Sequence, residues 1–447
     1  MSNQALPPEL AWLGRALGAE PDSGPGHGRF DYVIVPSRSR PQMVLAREER
    51  AAAWAALRQH NDASPTRVRV AKELLAWGCR FGLAGTMFPS RVPDSALGLR
   101  TGPCAWPQLI EEVFGRSDLG VAVSVGHVRP QIKPILHVAT GDGRPIGHIK
   151  VGWNDVTIPL IRNEAATLAM LDHDDRASRA FRAPRVLFHG PWHGREVLAV
   201  SHVGATPWYQ RPRTSLPASA TRQVGRGVPV ERAALGSSDF WLDLAERIGR
   251  LSRHEALEER LGSALAAARD RMESWHASTE LDLGLVHGDW APWNMASQGT
   301  GIGVWDWERS RTRGPLGFDG AFFRFQVDLW IRRLPPQEAL DRSLRLLPET
   351  MSHAGASSAA GSAVLRLVVL EVALRQLEGL VAGVRVPARV YRSLTALLER
   401  VGDEGWRLAG TPGAASPSPA TAPPRTGPST ARRRRRTPPP PSPGRTG

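Results

Sequence analysis

One segment constrains this chain of 447 residues more than any other feature. After a short apolar strand comes a loop that is dense in polar and aromatic side chains, and it reads His287-Gly288-Asp289-Trp290-Ala291-Pro292-Trp293-Asn294. Asp306 follows Asn294 by twelve residues, within Val304-Trp305-Asp306-Trp307-Glu308. Because polar groups on loops held by a rigid scaffold are often functional, this segment is the candidate site.

The pattern H-G-D-x-x-x-x-N, followed by an apolar-D-W-E segment, resembles the aminoglycoside phosphotransferase and choline kinase family, a branch of the protein-kinase-like fold. The resemblance covers residues 116 to 400. It implies an α+β, bilobal fold with a small antiparallel-sheet N-lobe and a mainly helical C-lobe. It also implies a phosphotransferase that moves the γ-phosphoryl group of ATP or GTP to a hydroxyl group of a small molecule.

The chemistry of phosphoryl transfer accounts for the residue types in this loop. The transition state is loose and highly charged, so the enzyme has mainly to position groups and neutralise charge with Mg²⁺. Magnesium prefers hard oxygen ligands, and we assign Asn294 and Asp306 to that role. Asp289 is the predicted catalytic base, which accepts the proton of the attacking hydroxyl. The family resemblance implies a loop-stabilising role for His287.

An upstream strand supplies a candidate for phosphate binding. Lys150 lies among apolar neighbours, where a solitary cation calls for a reason, and Glu164 follows it by fourteen residues at the start of a predicted helix. In kinase-like folds the lysine of the third strand contacts the α- and β-phosphates and is held by a glutamate of the next helix. We therefore predict that Lys150 and Glu164 bind the nucleotide.

Each of these residues also has a structural alternative. Lys150 is compatible with an edge-strand charge, Glu164 with a solvated helix position and the His-Gly-Asp sequence with a simple turn. Asp319 matches a family position that braces the loop, and an ordinary helix N-cap fits it equally well. Glu308 has two possible interpretations: a water-mediated contact to a second Mg²⁺, or no catalytic role. The combination, in the family's order and spacing, favours the kinase.

Nucleotide contacts outside these residues leave a weaker signal. The turn at residues 126–131 has a single glycine, so phosphate binding by a glycine-rich loop is not predicted. Arg129 and Lys133 are candidate phosphate contacts. The adenine is expected at the hinge after the fifth strand, where we assign Ser201 and Val203 through their backbone groups, and ATP has precedence over GTP on the resemblance alone.

The pattern of elements predicts four regions. These are an N-terminal α/β accessory module at 1–115, the nucleotide-binding N-lobe at 116–203, the C-lobe with the catalytic loop and substrate site at 204–410, and a disordered Pro- and Arg-rich tail at 411–447. In the N-lobe the expected order is β-β-β-α-β-β, with a hairpin turn at Gly141-Asp142-Gly143. A helix is expected over 65–82, with Ser64 as its N-cap and Pro65 as its first residue.

Composition restricts the class of protein. The net charge is +14, but seven arginines belong to the tail, and the remainder does not demand a polyanionic partner. Nucleic acid is therefore an unlikely partner except through Arg432 to Arg436, and a solvated arm is the simpler interpretation of that run. The two cysteines are too few for a disulfide framework. Without a leader or a membrane-spanning run, a cytoplasmic location and no membrane association are expected.

The acceptor is not specified by the sequence. A sugar, an antibiotic or an amino alcohol all fit, although residues 315–410 hold ten acidic residues against twelve arginines, which does not favour a cationic antibiotic. The sequence allows two roles, core packing or stacking on a sugar ring, for three tryptophans: Trp290, Trp293 and Trp330. The competing hypotheses are a nucleotide-binding pseudokinase or scaffold without turnover, and nucleic-acid binding by the tail. The oligomeric state is also left open.

Overall fold

The structure is a computed structural model, and it describes residues 10–19, 32–100, 102–126, 131–172, 180–298, 301–383 and 388–401. The predicted tail at 411–447, with its arginine run, lies outside these residues, as does Arg129. Predictions made for them stay predictions.

Fourteen strands lie within the described residues. The first nine are β1 (Tyr32–Val35), β2 (Met43–Ala46), β3 (Arg91–Val92), β4 (Leu119–Ser124), β5 (Ile135–Thr140), β6 (Pro145–Gly152), β7 (Phe181–Arg182), β8 (Val186–Trp192) and β9 (Arg195–Ser201). The other five are β10 (Glu231–Ala234), β11 (Glu280–Val286), β12 (Met295–Gln298), β13 (Gly301–Val304) and β14 (Arg311–Pro315). Eight of them form one antiparallel sheet in the order β3-β1-β2-β4-β5-β6-β9-β8.

This sheet crosses the predicted boundary between residues 115 and 116. Strand β2 pairs with β4, with Val44 opposite Val123, so the strands of the predicted accessory module extend the N-lobe sheet. The described part of residues 1–115 therefore adds three strands to the small lobe rather than standing apart from it. The reason is physical, because an exposed edge of β4 would leave backbone donors and acceptors unpaired.

In the described part of the small lobe there are seven helices. They are α1 (Ala11–Leu17), α2 (Arg50–Leu57), α3 (Thr66–Arg80), α4 (Ala84–Met87), α5 (Asp94–Leu97), α6 (Trp106–Phe114) and α7 (Thr157–Asp172). Helix α3 begins one residue later than expected: Pro65 occupies the N-cap position, and the hydroxyl of Ser64 donates to Asn61 Oδ1 instead of capping the helix. The asparagine competes successfully for this hydroxyl because Asx turns offer a local alternative to helix capping.

The remaining described helices belong to the large lobe. They are α8 (Ala218–Gly225), α9 (Asp239–Leu251), α10 (Glu259–His276), α11 (Phe318–Gln326), α12 (Pro336–Arg345), α13 (Leu347–Ala354), α14 (Gly361–Val381) and α15 (Ala388–Val401). Helix α14 is apolar on nearly all sides and buried along most of its length, so it forms the centre of this lobe's core. The predicted α+β architecture of a sheet lobe and a helical lobe is confirmed.

The two lobes share a packed interface. Ile161 and Leu168 of α7 belong to one buried cluster with Leu285 and Trp307 of the large lobe. Cys79 and Cys104 are buried free thiols, as expected of small apolar residues. No helix in the described ranges is both long enough and apolar enough to span a bilayer.

A buried aspartate joins the N-terminal segment to both lobes. The carboxylate of Asp62 accepts hydrogen bonds from Thr206 Oγ1 at 2.6 Å, Arg213 Nε at 2.6 Å and the backbone and hydroxyl of Ser297. Its backbone amide donates to Met295 O at 2.9 Å. Because every one of these contacts is distant in sequence, Asp62 ties residues before the N-lobe to the interlobe linker and to the hairpin of the candidate site.

Candidate active site

A two-stranded hairpin brings the two predicted metal ligands together. Strands β12 and β13 are antiparallel, with Met295 opposite Val304, so Asn294 and Trp305 lie at the same open end. The backbone amide of Trp305 donates to Asn294 O at 3.1 Å and closes that end. Asp306 is the next residue, and its side chain therefore lies beside the start of β12.

Asp306 has an unusual backbone conformation. Its φ is 70° and its ψ is 51°, in the left-handed region that only glycine, asparagine and aspartate visit readily. The turn directs the chain into a short 3₁₀ helix at Trp307–Arg309 while the carboxylate faces Lys150. The local geometry thus selects an aspartate at this position for both backbone and side-chain reasons.

Lys150 contacts Glu164, its predicted partner, and also Asp306, which was predicted as a metal ligand. From β6 its Nζ lies 2.7 Å from each carboxylate oxygen of Glu164 on α7 and 2.7 Å from Asp306 Oδ1. Lys150 and Glu164 are 5% and 1% exposed, whereas Asp306 is 28% exposed. The edge-strand alternative for Lys150 is excluded by this burial, and so is the solvated position for Glu164.

The charges in this group are mutually dependent. Burial opposes the charge on Lys150, but Asp306 and Glu164 outweigh it and raise the pKa of the ammonium. Burial likewise opposes ionisation of Asp306, but Lys150 and Lys133 reverse the effect and lower its pKa well below the usual range. At neutral pH the lysine is therefore cationic and Asp306 is a carboxylate, which is the form that binds a metal.

The loop at 287–294 is braced from the start of α11. The carboxylate of Asp319 accepts the backbone amides of His287 at 2.7 Å and Gly288 at 3.0 Å. Gly288 has φ 76°, and a Cβ there would lie 2.2 Å from Arg309 O, so only glycine fits. Burial raises the pKa of Asp319 to about 7 even though both amides favour its ionised form.

His287 is buried and uses both ring nitrogens within the loop region. Its Nε2 lies 3.0 Å from Trp305 O, and its Nδ1 accepts the amide of Asp289 at 3.2 Å. Burial lowers the pKa of His287, so the ring is neutral, with the proton on Nε2. This histidine links the loop to the end of β13, which accords with the structural role that the resemblance implies.

Asp289 is held by two side chains. Asn294 Nδ2 donates to Asp289 Oδ2 at 2.7 Å and to its backbone oxygen at 2.9 Å, and Arg375 Nη1 donates to Oδ1 at 3.0 Å. Since the amide nitrogen of Asn294 makes both contacts, the amide oxygen is the atom left for a metal. Arg375 Nη2 also donates to Gly288 O at 2.7 Å.

Sequence reasoning missed the arginine cluster behind the loop. Glu371 on α14 lies 2.7 Å from Arg375, 2.8 Å from Arg247 on α9 and 3.9 Å from Arg309. These guanidinium groups outweigh the effect of burial and lower the pKa of Glu371 to about 2. The available signal was the spacing of four between Glu371 and Arg375 in a helix that is mostly apolar.

Glu308 lies with the acidic groups and is paired with a candidate phosphate contact. Carboxylate oxygens of Glu164, Asp306 and Glu308 all lie within 4.8 Å of one another. Lys133 forms a buried ion pair with Glu308. Asn163 on α7 donates to Glu308 O at 2.9 Å, so the segment that follows Asp306 is fixed to the small lobe.

The hinge residues lie at and just beyond the end of β9. Ser201 donates its backbone amide to Arg185 O at 2.9 Å, and its hydroxyl accepts the amide of Arg185 at 2.9 Å. The next amide, of His202, donates to Ile146 O at 3.0 Å. The backbone amides of Ser201 and His202 both donate within the sheet. Val203 follows these two residues, just beyond the end of the strand.

The three tryptophans whose roles the sequence does not decide lie in different environments. Trp290 is fully buried and packs edge-to-face near His287, which makes it part of the core. Trp293 packs against the large-lobe core and is partly buried. Trp330 is exposed. A stacking role for Trp290 on a sugar ring is therefore excluded.

Comparison with known proteins finds similarity only among solved structures. No protein-family model matches the chain, and no curated protein matches it. A thermostable mutant of aminoglycoside phosphotransferase APH(4)-Ia is 18% identical with a TM-score of 0.46, over 68% of this chain and all of that one. ADP-bound APH(2'')-Ib is 10% identical with a TM-score of 0.41, over 65% and 95% of the respective chains.

A third similar structure is a putative fructosamine-3-kinase from Haemophilus somnus. It is 13% identical with a TM-score of 0.38, over 66% of this chain and 96% of that one. Since all three TM-scores are below 0.5, we infer the function of this chain from the geometry of its site.

Proposed function

We propose that this protein is a magnesium-dependent small-molecule kinase that transfers the γ-phosphoryl group of ATP or GTP to a hydroxyl group. The contact of Lys150 with Glu164 and Asp306 carries the proposal. Burial of a cation between two carboxylates from distant elements costs free energy unless the geometry is well defined. In kinase-like folds a lysine in this position contacts phosphate oxygens of the nucleotide. A phosphate group that enters beside Asp306 would replace one of the two carboxylates, of Glu164 or Asp306, as a partner of Lys150.

The donor atoms fit a magnesium ion. Asp306 is ionised and partly exposed, Glu308 and Glu164 lie close by, and the amide oxygen of Asn294 is at the same end of the hairpin. These are hard oxygen donors, and few protein ligands are needed because magnesium retains water. We assign Asn294 and Asp306 as its ligands; when bound, the ion neutralises charge on the phosphates.

Asp289 is proposed as the catalytic base. The acceptor oxygen forms a bond to the γ-phosphorus, the bond to the bridging oxygen of the nucleotide breaks, and the hydroxyl proton moves to a carboxylate oxygen of Asp289. Arg375 and Asn294 hold the carboxylate in one orientation for this transfer. His287 and Asp319 fix the backbone on which Asp289 is carried.

The nucleotide base is proposed to lie against the hinge. The backbones of Ser201 and Val203 remain the assigned contacts. For Ser201 the proposed group is the carbonyl oxygen, because its backbone amide already donates to Arg185 O. Backbone recognition is compatible with both adenine and guanine, so ATP and GTP are both retained as co-substrates.

A nucleotide-binding scaffold without turnover is the second candidate. The observation that favours it is the pairing of both key carboxylates with cations, Asp306 with Lys150 and Asp289 with Arg375. In a scaffold these pairs would persist when nucleotide binds. In a kinase they rearrange, and phosphate is transferred.

The test is transfer of labelled γ-phosphate from Mg-ATP and Mg-GTP to a panel of hydroxyl compounds, with wild type and Asp289→Asn compared. We expect labelled product from wild type alone. Full activity of Asp289→Asn at saturating substrates would refute the assignment of the base. Nucleotide that raises the melting temperature without any transfer would favour the scaffold, and no nucleotide binding would overturn both candidates.

A further inference from the structure

A cavity of about 510 Å³ lies beside the 287–294 loop. Helices α7, α9 and α14 contribute to its wall, together with Gly288 and the segment from Glu308 to Arg313. Five of its lining residues are arginines: Arg247, Arg309, Arg311, Arg313 and Arg375. A cavity of this size accommodates a small molecule. Its lining also includes four carboxylates, those of Asp239, Asp243, Glu308 and Glu371.

Most of these arginines have close carboxylate partners. Arg311 lies 2.5 Å from Asp243, and Arg313 lies 2.5 Å from Glu231 at the exposed rim. Deeper in the wall Glu371 lies close to Arg247 and Arg375, and each of these arginines has a second carboxylate partner, Glu378 and Asp289 respectively. Arg309 differs from both, because Glu371 at 3.9 Å is its nearest carboxylate among the described residues.

The guanidinium of Arg309 has unused hydrogen-bond donors. Its nearest carboxylate oxygen, of Glu371, is 3.9 Å away, which is beyond hydrogen-bond distance. Its guanidinium donates no hydrogen bond to any group of the described residues, although its side chain is only 20% exposed. A guanidinium has five donors in a planar fork that suits a carboxylate or phosphate group, so these donors are available to a ligand.

The position of Arg309 relates this anion site to the reaction. The backbone oxygen of Arg309 packs against Gly288, the residue before Asp289. Gly288 itself lines the cavity, and Arg375 reaches from the same wall to the carboxylate of Asp289. A small molecule anchored in the cavity therefore lies beside the residue proposed to accept the hydroxyl proton.

We infer that the phosphate acceptor is an anionic hydroxyl compound whose carboxylate, sulfate or phosphate group binds Arg309 in this cavity. The inference rests on the proposed kinase function and adds the chemical class of its substrate. A cationic group in this position would meet the guanidinium of Arg309, which repels positive charge and has no acceptor atom. Arg309 thus favours an anion over an amine at this part of the wall.

The experiment compares acceptors that differ in charge. The full chain, saturated with Mg-AMP-PNP so that the nucleotide site is filled, is titrated calorimetrically with gluconate, glucose 6-phosphate, glucose and glucosamine. The variants are Arg309→Gln and, as a matched control on the exposed face of α9, Arg250→Gln. The comparison of gluconate with glucose 6-phosphate distinguishes a site for a carboxylate from a site for a phosphate group.

We expect an anion to bind more tightly than glucose, and glucosamine to bind least. Arg309→Gln should weaken the anion by about tenfold or more, because a charge-assisted contact is lost, while Arg250→Gln leaves it unchanged. Tightest binding by glucosamine, no binding of either anion, or anion binding that is insensitive to Arg309→Gln would each overturn the inference. Failure of the kinase proposal is distinct, since it shows as absent binding of Mg-AMP-PNP before any acceptor is added.

Discussion

Arg375 holds Asp289 by its side chain and by the backbone of the preceding residue. Nη1 lies 3.0 Å from Asp289 Oδ1, and Nη2 lies 2.7 Å from the carbonyl oxygen of Gly288. The planar fork of one guanidinium thus sets both the direction of the carboxylate and the path of the loop. The arginine belongs to α14, eighty-six residues away along the chain, and its own position is fixed by Glu371.

Arg375→Lys is expected to lower kcat much more than it changes KM for ATP. An ammonium can approach one of the two oxygens but cannot bridge both, so Asp289 loses its orientation while the nucleotide site is untouched. We expect kcat to fall by about tenfold to a hundredfold, as for loss of a positioning contact. Steady-state kinetics with the acceptor identified by phosphate transfer provides the measurement. An unchanged kcat would show that Arg375 has only a packing role, and Arg250→Gln serves as the surface control.

Lys150→Met is expected to abolish the stabilisation of the protein by nucleotide. The substitution leaves Glu164 and Asp306 as close like charges and removes the cation proposed to contact the phosphates. Melting temperature with and without Mg-AMP-PNP is the measurement, and the shift seen in wild type should disappear. Lys72→Met is the control, because Lys72 lies on α3 and has no contact with Glu164 or Asp306 among the described residues. A full nucleotide response in Lys150→Met would contradict the assignment.

Asp62→Ala is expected to lower the free energy of unfolding by about 3–5 kcal/mol, since it leaves the buried hydroxyl of Thr206 and the partly buried guanidinium of Arg213 without the carboxylate that they contact. Chemical denaturation of the full chain measures the loss. The matched control is Asp118→Ala, which removes an exposed partner of Arg116 and should change the free energy of unfolding far less, because water screens an exposed ion pair. Equal effects of the two substitutions would mean that Asp62 does not join the N-terminal segment to the lobes in a stabilising way.

Glu371 predicts a defined dependence of stability on pH. Its pKa is lowered from 4.5 to about 2, so the folded protein stabilises the ionised form relative to the unfolded chain. The stabilisation is complete above the unfolded pKa and is lost as the pH falls through the folded pKa. Linkage relates this shift to about 3 kcal/mol at neutral pH.

The measurement for Glu371 is the difference in free energy of unfolding between wild type and Glu371→Gln as a function of pH. That difference should be constant above about pH 5 and shrink between the unfolded and folded pKa values. A difference that stays constant down to pH 3 would show that the charge of Glu371 does not stabilise the fold.

Much of the architecture follows from local patterns in the sequence. The hairpin around Gly141-Asp142-Gly143 is predicted from the apolar runs on either side of that turn; β5 and β6 form it, and Gly143 has the positive φ that such a turn requires. The order β-β-β-α-β-β is also predicted, because each element has its own periodicity and punctuation. The structure adds the two-residue strand β7, which pairs with the distant β13. The proximity of Lys150 and Glu164 was expected only from the resemblance, and the structure places them 2.7 Å apart.

Local patterns failed where a segment is defined by a distant partner. Strand β2 at Met43–Ala46 was not predicted, because four apolar residues are compatible with strand or helix until β1 and β4 pair on either side. The segment that forms the hairpin of β12 and β13 was predicted to be a loop. Its formation is what brings Asn294 and Asp306 to one end.

The sequence by itself therefore determined the chemical groups of the candidate site and their order along the chain, since residue types and short spacings are local properties. Only the tertiary structure decided that Arg375, Glu371 and Arg309 surround Asp289 and line a cavity beside it. Those contacts join residues that are 62 to 87 positions apart, and long-range pairing depends on the packing of whole helices and strands. The proposed preference for an anionic acceptor rests on that packing.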